Sequence, residues 1–121
     1  MPEMSLSSTN RPLSLSERAL ATWMLENGVP EAKEFLSLLD DLEVTPWRCA
    51  CGCASINFQL RGQPPAPPGV KILGEFLFGT STPPVGAFIY ENEGRLSGLE
   101  VYAFGDQDPD ALPEPPLRPF A

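Results

Sequence analysis

Apolar positions recur at helical spacing in the first third of the chain and at alternate positions afterwards, so helices are expected before strands. Leu20, Trp23 and Met24 fall on one helical face. The start of that helix lies at Ser14 or Ser16. Ser14 with Glu17 makes a capping-box pattern, whereas a cap at Ser16 sets Leu15 and Leu20 as a hydrophobic staple. Asn27-Gly28 supplies a left-handed stop ahead of Pro30. Pro30 suits the first turn of a second helix, with Glu31 and Glu34 near its positive end. Ala32, Phe35, Leu36, Leu39 and Leu42 carry the helical repeat to about Leu42, and the short connection at Gly28 makes the two helices a hairpin or a bent pair.

Beyond Glu43 the period changes to two. Val44 to Arg48 reads as a short strand, placed at an edge by Pro46, which cannot donate to a ladder. Ala54, Ile56, Phe58 and Leu60 alternate with Ser55, Asn57 and Gln59, as in a half-buried strand. Residues 61–69 (RGQPPAPPG) form a stiff proline-rich loop. Val70, Ile72, Phe76 and Phe78 define the next strand, with Gly74 as a bulge position. Val85 to Tyr90 and Leu96 to Phe104 make a hairpin across Glu91-Asn92-Glu93-Gly94-Arg95, with Gly94 at positive φ.

This order predicts an α+β fold: an N-terminal helix pair packed on one face of an antiparallel meander sheet of four to five strands. Residues 1–13 are expected as a flexible arm and 14–104 as the single domain. Residues 105–121, with five prolines and four acids, are expected as an acidic tail that is laid on the surface or disordered.

A chain of 121 residues suits one domain. It can bury about two-thirds of its unfolded surface without a disulfide or metal staple. No stretch approaches the ~20 apolar residues of a spanning helix. Residues 1–12 are polar and include Arg11, unlike a secretory signal, so a cytoplasmic location with reduced thiols is expected. Net charge is −8, from 16 acids and 8 bases. A surface of that sign repels phosphate, which argues against nucleic acid and anionic membranes and for a basic protein partner.

Candidate chemistry centres on Cys49-Ala50-Cys51-Gly52-Cys53 in a chain with no histidine. Imidazole-activated serine or cysteine nucleophiles are thereby excluded within this chain, as is a two-histidine metal site. If the strand ending at Leu60 runs back to Cys49, the three thiols share the face of Ser55, Asn57 and Gln59 and point away from the Ile56 and Phe58 side. Structural zinc takes four ligands, usually from Cys-x-x-Cys pairs, so Cys49, Cys51 and Cys53 are an incomplete set; Cu(I) accepts fewer. Arg48 is the only adjacent cation that could lower a thiol pKa. A thiolate metal or redox site is therefore the alternative reading, and close packing of three small side chains under the helices is the structural one.

Carboxylates gather in two places. Asp40, Asp41 and Glu43 end the second helix, against its dipole. Glu91, Glu93, Glu100, Asp106, Asp108, Asp110 and Glu114 form the second group, with Arg95 between them. Asp106 to Asp110 lacks the glycine and the twelfth-position glutamate of a calcium loop and contains Pro109. No phosphate-binding glycine loop is present. Trp23 and Trp47 read as core anchors. No enzyme class is indicated, and no cofactor is expected.

The run Cys49 to Phe58, the helix pair ATWMLENGVPEAKEFL and the segment Gly94 to Tyr102 (GRLSGLEVY) resemble a family of small, mostly uncharacterised bacterial proteins with a Cys-x-Cys-Gly-Cys-x-Ser motif. In size, charge and architecture the chain also resembles immunity proteins of contact-dependent inhibition and other polymorphic toxin systems. That likeness implies a non-catalytic protein that neutralises a cognate toxin, often a nuclease, through its acidic surface. The residues expected to carry binding are Glu91, Glu93, Asp106, Asp108 and Asp110, with Asp40, Asp41 and Glu43 as a second patch.

Overall fold

A computed structural model describes residues 9–48, 50, 52–80, 84–103 and 109–120. In chain order it contains β1 (Arg11–Pro12), α1 (Leu15–Glu26), a 3-10 helix (Pro30–Asp41), β2 (Leu42–Val44), β3 (Ile56–Leu60), β4 (Lys71–Phe78), β5 (Val85–Asn92), β6 (Arg95–Ala103) and β7 (Arg118–Pro119). The strands form one antiparallel sheet in the order β1-β2-β3-β6-β5-β4-β7. The α+β class stands, but the sheet has seven strands rather than four or five. The additions are two-residue strands at its margins, from segments with no alternating apolar pattern to announce them. Each contains a proline, Pro12 or Pro119, which lacks the N–H that would extend the ladder.

Helix α1 starts at Ser14, not Ser16. The Glu17 amide donates to Ser14 Oγ at 3.1 Å, and the Ser14 amide donates to Glu17 Oε1 at 2.8 Å. Leu15 is 89% exposed, so no staple forms. Leu20, Ala21, Met24 and Leu25 are fully buried, and Trp23 meets Phe76 edge-on with ring centroids 4.9 Å apart.

Gly28 is not a left-handed stop, for it is absent from the positive-φ residues. Its role is steric: a Cβ there would collide with the carbonyl of Leu73, whose oxygen accepts from the Val29 amide at 2.8 Å. Helix and sheet backbones therefore touch at this point, and only glycine leaves room.

The second helix is a 3-10 helix over twelve residues. Its apolar residues suit the tighter winding. Ala32, Phe35 and Leu38 are three apart, as are Leu36, Leu39 and Leu42, and at three residues per turn each row stacks along one side. Leu42 ends this helix and opens β2 without a loop, so the strand lies at Leu42–Val44 instead of running from Val44 to Arg48.

Two irregularities seat the core. Tyr90 and Glu91 of β5 pair with Gly98 and Leu96, which leaves Ser97 as an extra residue in β6. Leu96 and Leu99 are three apart and would face opposite ways in a regular strand; the bulge at Ser97 turns both inward, to 1% and 0% exposure. In β4 the register shifts between Ile72 and Gly74, so Leu73 is the extra residue and is 1% exposed. The β5–β6 turn is tighter than a five-residue loop. Glu93 (φ 51) and Gly94 (φ 81) both have positive φ, as a two-residue type I′ turn requires.

The C-terminal segment packs on the body: Leu117 is 7% exposed and the Pro109 carbonyl accepts from the Ala54 amide at 3.0 Å.

Candidate binding face

The helices cover the sheet face that carries Leu73, Phe76, Ala87, Ile89, Leu99 and Val101. Period-two alternation sends Glu75, Gly86, Phe88, Tyr90, Gly98, Glu100 and Tyr102 to the opposite face. Cross-strand register arranges them. Glu75 and Glu100 lie on either side of Phe88, Gly86 is opposite Tyr102, and Gly98 is opposite Tyr90. Each glycine leaves the space that its partner tyrosine occupies. A Cβ on Gly86 would lie 2.5 Å from the Tyr102 hydroxyl, and one on Gly98 would lie 2.5 Å from that of Tyr90. Phe88 is centred 5.5 Å from the Tyr90 ring and 6.0 Å from the Tyr102 ring.

The tyrosines and carboxylates are coupled. Tyr102 Oη donates to Glu75 Oε2 at 2.5 Å. Burial pushes the Tyr90 phenol up to about 12, helped by the neighbouring Glu100 charge. Burial also raises Tyr102, with the Glu75 hydrogen bond adding to it. Among the described residues neither Glu75 nor Glu100 takes part in an ion pair.

Beside this cluster lies a groove of about 610 Å³ between the β2–β3 connection and the proline-rich loop. Thr45, Pro46 and Trp47 form one wall and Pro65 to Val70 the other; Asn57, Gln59, Tyr90 and Ser97 line it as well. Asn92 Nδ2 holds the loop, donating to the carbonyls of Pro68 at 2.7 Å and Pro67 at 3.1 Å. Arg95 Nη1 donates to the Pro64 carbonyl at 3.2 Å. Trp47 is 43% exposed on this groove, so it is not the core anchor expected from sequence.

The acidic residues singled out from sequence are dispersed and in several cases already partnered. Asp40 pairs with Arg18 at 2.5 Å, Asp41 with Arg61 at 3.4 Å and Glu43 with Arg61 at 3.5 Å. Glu91 is 5% exposed: its Oε1 accepts from the Gly94 amide at 3.0 Å, and its Oε2 is 3.6 Å from Lys71 Nζ. It serves the turn. Glu93 and Asp110 are exposed. Asp106 and Asp108 lie outside the described residues, as do Cys49 and Cys51.

Cys53 is half-buried, packs against the core and donates to Ser55 Oγ at 3.3 Å. Ser55 in turn accepts from the Val101 amide at 3.0 Å. The strand does not run back to Cys49. It begins at Ile56, Gly52 has φ 83, and the Ala54 amide bonds outside the ladder, which cancels the parity that placed this thiol on the polar face.

Glu75, Phe88 and the two tyrosines were missed because each reads as ordinary strand alternation; their signal lay in cross-strand register. Searches against protein-family models, curated proteins and solved structures return no match. Among the described residues no helix is long and apolar enough to cross a membrane.

Proposed function

We propose that this is a non-catalytic cytoplasmic binding protein that docks a basic protein, and that the partner is a cognate toxin domain which it neutralises as an immunity protein. The observation that carries the reading is the row Glu75–Phe88–Glu100, flanked by Tyr90 and Tyr102. An aromatic face beside two carboxylates attracts a lysine or arginine side chain both through the ring quadrupole and by charge. The chain's net charge of −8 adds long-range steering toward a basic surface. The acids near Asp40 lie in ion pairs with arginines, so the reading rests first on this face, with Asp40, Asp41 and Glu43 as a second patch.

The test begins with capture of the partner from the native bacterium and its identification by native mass spectrometry. A stoichiometric polypeptide with a basic domain is expected, toxic when expressed alone and harmless when this chain is co-expressed. Glu75→Gln combined with Glu100→Gln should slow association by about tenfold and flatten its salt dependence. An acidic partner, or a basic one whose toxicity this chain leaves unchanged, would overturn the reading.

A further inference from the structure

The groove beside Trp47 differs in chemistry from the rest of the molecule. One-fifth of the chain is charged, yet none of the described residues lining this groove carries a charge. Among the described lining residues an anion finds no cation, and the neighbouring carboxylate of Glu43 already accepts from Asn10 Nδ2 at 3.2 Å. What the groove offers is neutral hydrogen bonding, from the amides of Asn10, Asn57 and Gln59 and the hydroxyls of Thr45 and Ser97, beside the exposed indole of Trp47.

We propose that this groove binds a neutral saccharide. Amides and hydroxyls both donate and accept, as sugar hydroxyls do, so the two sets can pair in either direction. A sugar ring also has a face of C–H groups, which gains dispersion contact against an exposed indole. The volume of about 610 Å³ falls within the range of small-molecule sites.

The amides are not equally committed. Gln59 Oε1 accepts from Asn10 Nδ2 at 3.1 Å, and Gln59 Nε2 donates to the Gln63 carbonyl at 2.8 Å. This chain fixes Gln59 and Asn10 in place. The Asn57 side chain makes no hydrogen bond to the other described residues, and it is the group the ligand engages first. One wall is restrained before binding. Prolines restrict it and Asn92 ties it to the hairpin, which lowers the ordering cost on that side.

A proline-rich peptide is the competing neutral ligand, because such peptides also dock beside tryptophan. They use a series of exposed aromatic rings, however. Here Tyr90 is 7% exposed and Phe58 3%, which leaves Trp47 as the one ring open for stacking among the described lining residues.

The test is a two-dimensional NMR titration of the full chain with defined neutral hexasaccharides: β-1,4-linked glucose, β-1,4-linked N-acetylglucosamine, α-1,4-linked glucose and β-1,4-linked mannose. At least one should shift the Trp47 indole and the Asn57 side-chain amide together, with saturation by about 10 mM. Trp47→Ala and Asn57→Ala should each weaken that binding by at least about tenfold, with the remaining spectrum retained. No shift at either group with any of the four, or shifts produced by a decaproline peptide instead, would overturn the proposal. Glu75→Gln, whose carboxylate bonds Tyr102 outside the groove, should leave saccharide binding unchanged while slowing association with a basic partner, which separates failure here from failure of the basic-partner reading.

Discussion

Tyr102 fills the space above Gly86, its cross-strand neighbour, and its hydroxyl reaches Glu75 on the next strand. The same arrangement recurs with Tyr90 above Gly98. A glycine within a strand ordinarily weakens it by lacking a side chain to pack, and an aromatic laid across it from the adjacent strand restores that contact.

Gly86→Ala should destabilise the fold, because the new Cβ meets the Tyr102 ring and either the tyrosine or the strand must yield. A loss of about 1–3 kcal/mol is expected, typical of overpacking. Urea unfolding measures it. Combining Gly86→Ala with Tyr102→Ala should cost less than the sum of the two single changes, since the smaller side chain removes the clash.

The chain has only two tyrosines, and both lie on this face, so tyrosinate absorbance reports on it alone. Native protein should ionise later than free tyrosine, with Tyr90 near 12. The raised values stabilise the fold at pH below the unfolded value of about 10, and that contribution disappears as pH rises from there through the folded value. An absorbance titration run alongside circular dichroism should show ionisation coinciding with alkaline unfolding. Ionisation near pH 10 with the fold intact would contradict the burial of these phenols.

At the other end of the pH scale, Glu17 is held below the usual carboxylate range, chiefly by the Arg11 guanidinium and also by the Ser14 amide. Its stabilisation is complete above the unfolded value and is lost as pH falls through the lower folded one. Ser14→Ala removes the reciprocal cap and should cost about 1 kcal/mol at neutral pH. Glu17→Gln should narrow the stability difference between pH 7 and pH 3, as read by thermal unfolding.

Asn92 secures the proline-rich loop through two carbonyls. Asn92→Ala should speed amide exchange at Gly69 and Val70 while leaving the β3 and β6 amides protected. The groove wall would then be loosened without loss of the sheet.

Much of the fold was legible because it follows from local rules. The Ser14–Glu17 cap, the apolar face of α1, the alternation of β3 and the bulge beside Gly74 are all readable from residues a few positions apart. The 3-10 winding was not, since a spacing of three also suits an α-helix until packing selects between them. The margins β1 and β7 were not legible either, because a two-residue strand has no period and exists only where another strand offers free backbone groups.

The candidate sites follow the same division. Sequence alone determined the negative charge, the want of any imidazole and the order of helices before strands. Only tertiary structure decided that Glu91 is buried under its own turn while Glu75 and Glu100 flank Phe88. It also placed Trp47 across a groove from a proline loop about twenty residues further along the chain. The physical reason is range: capping and periodicity act over one or two turns, whereas a binding face is assembled by strand register, which brings together residues that carry no information about one another along the chain.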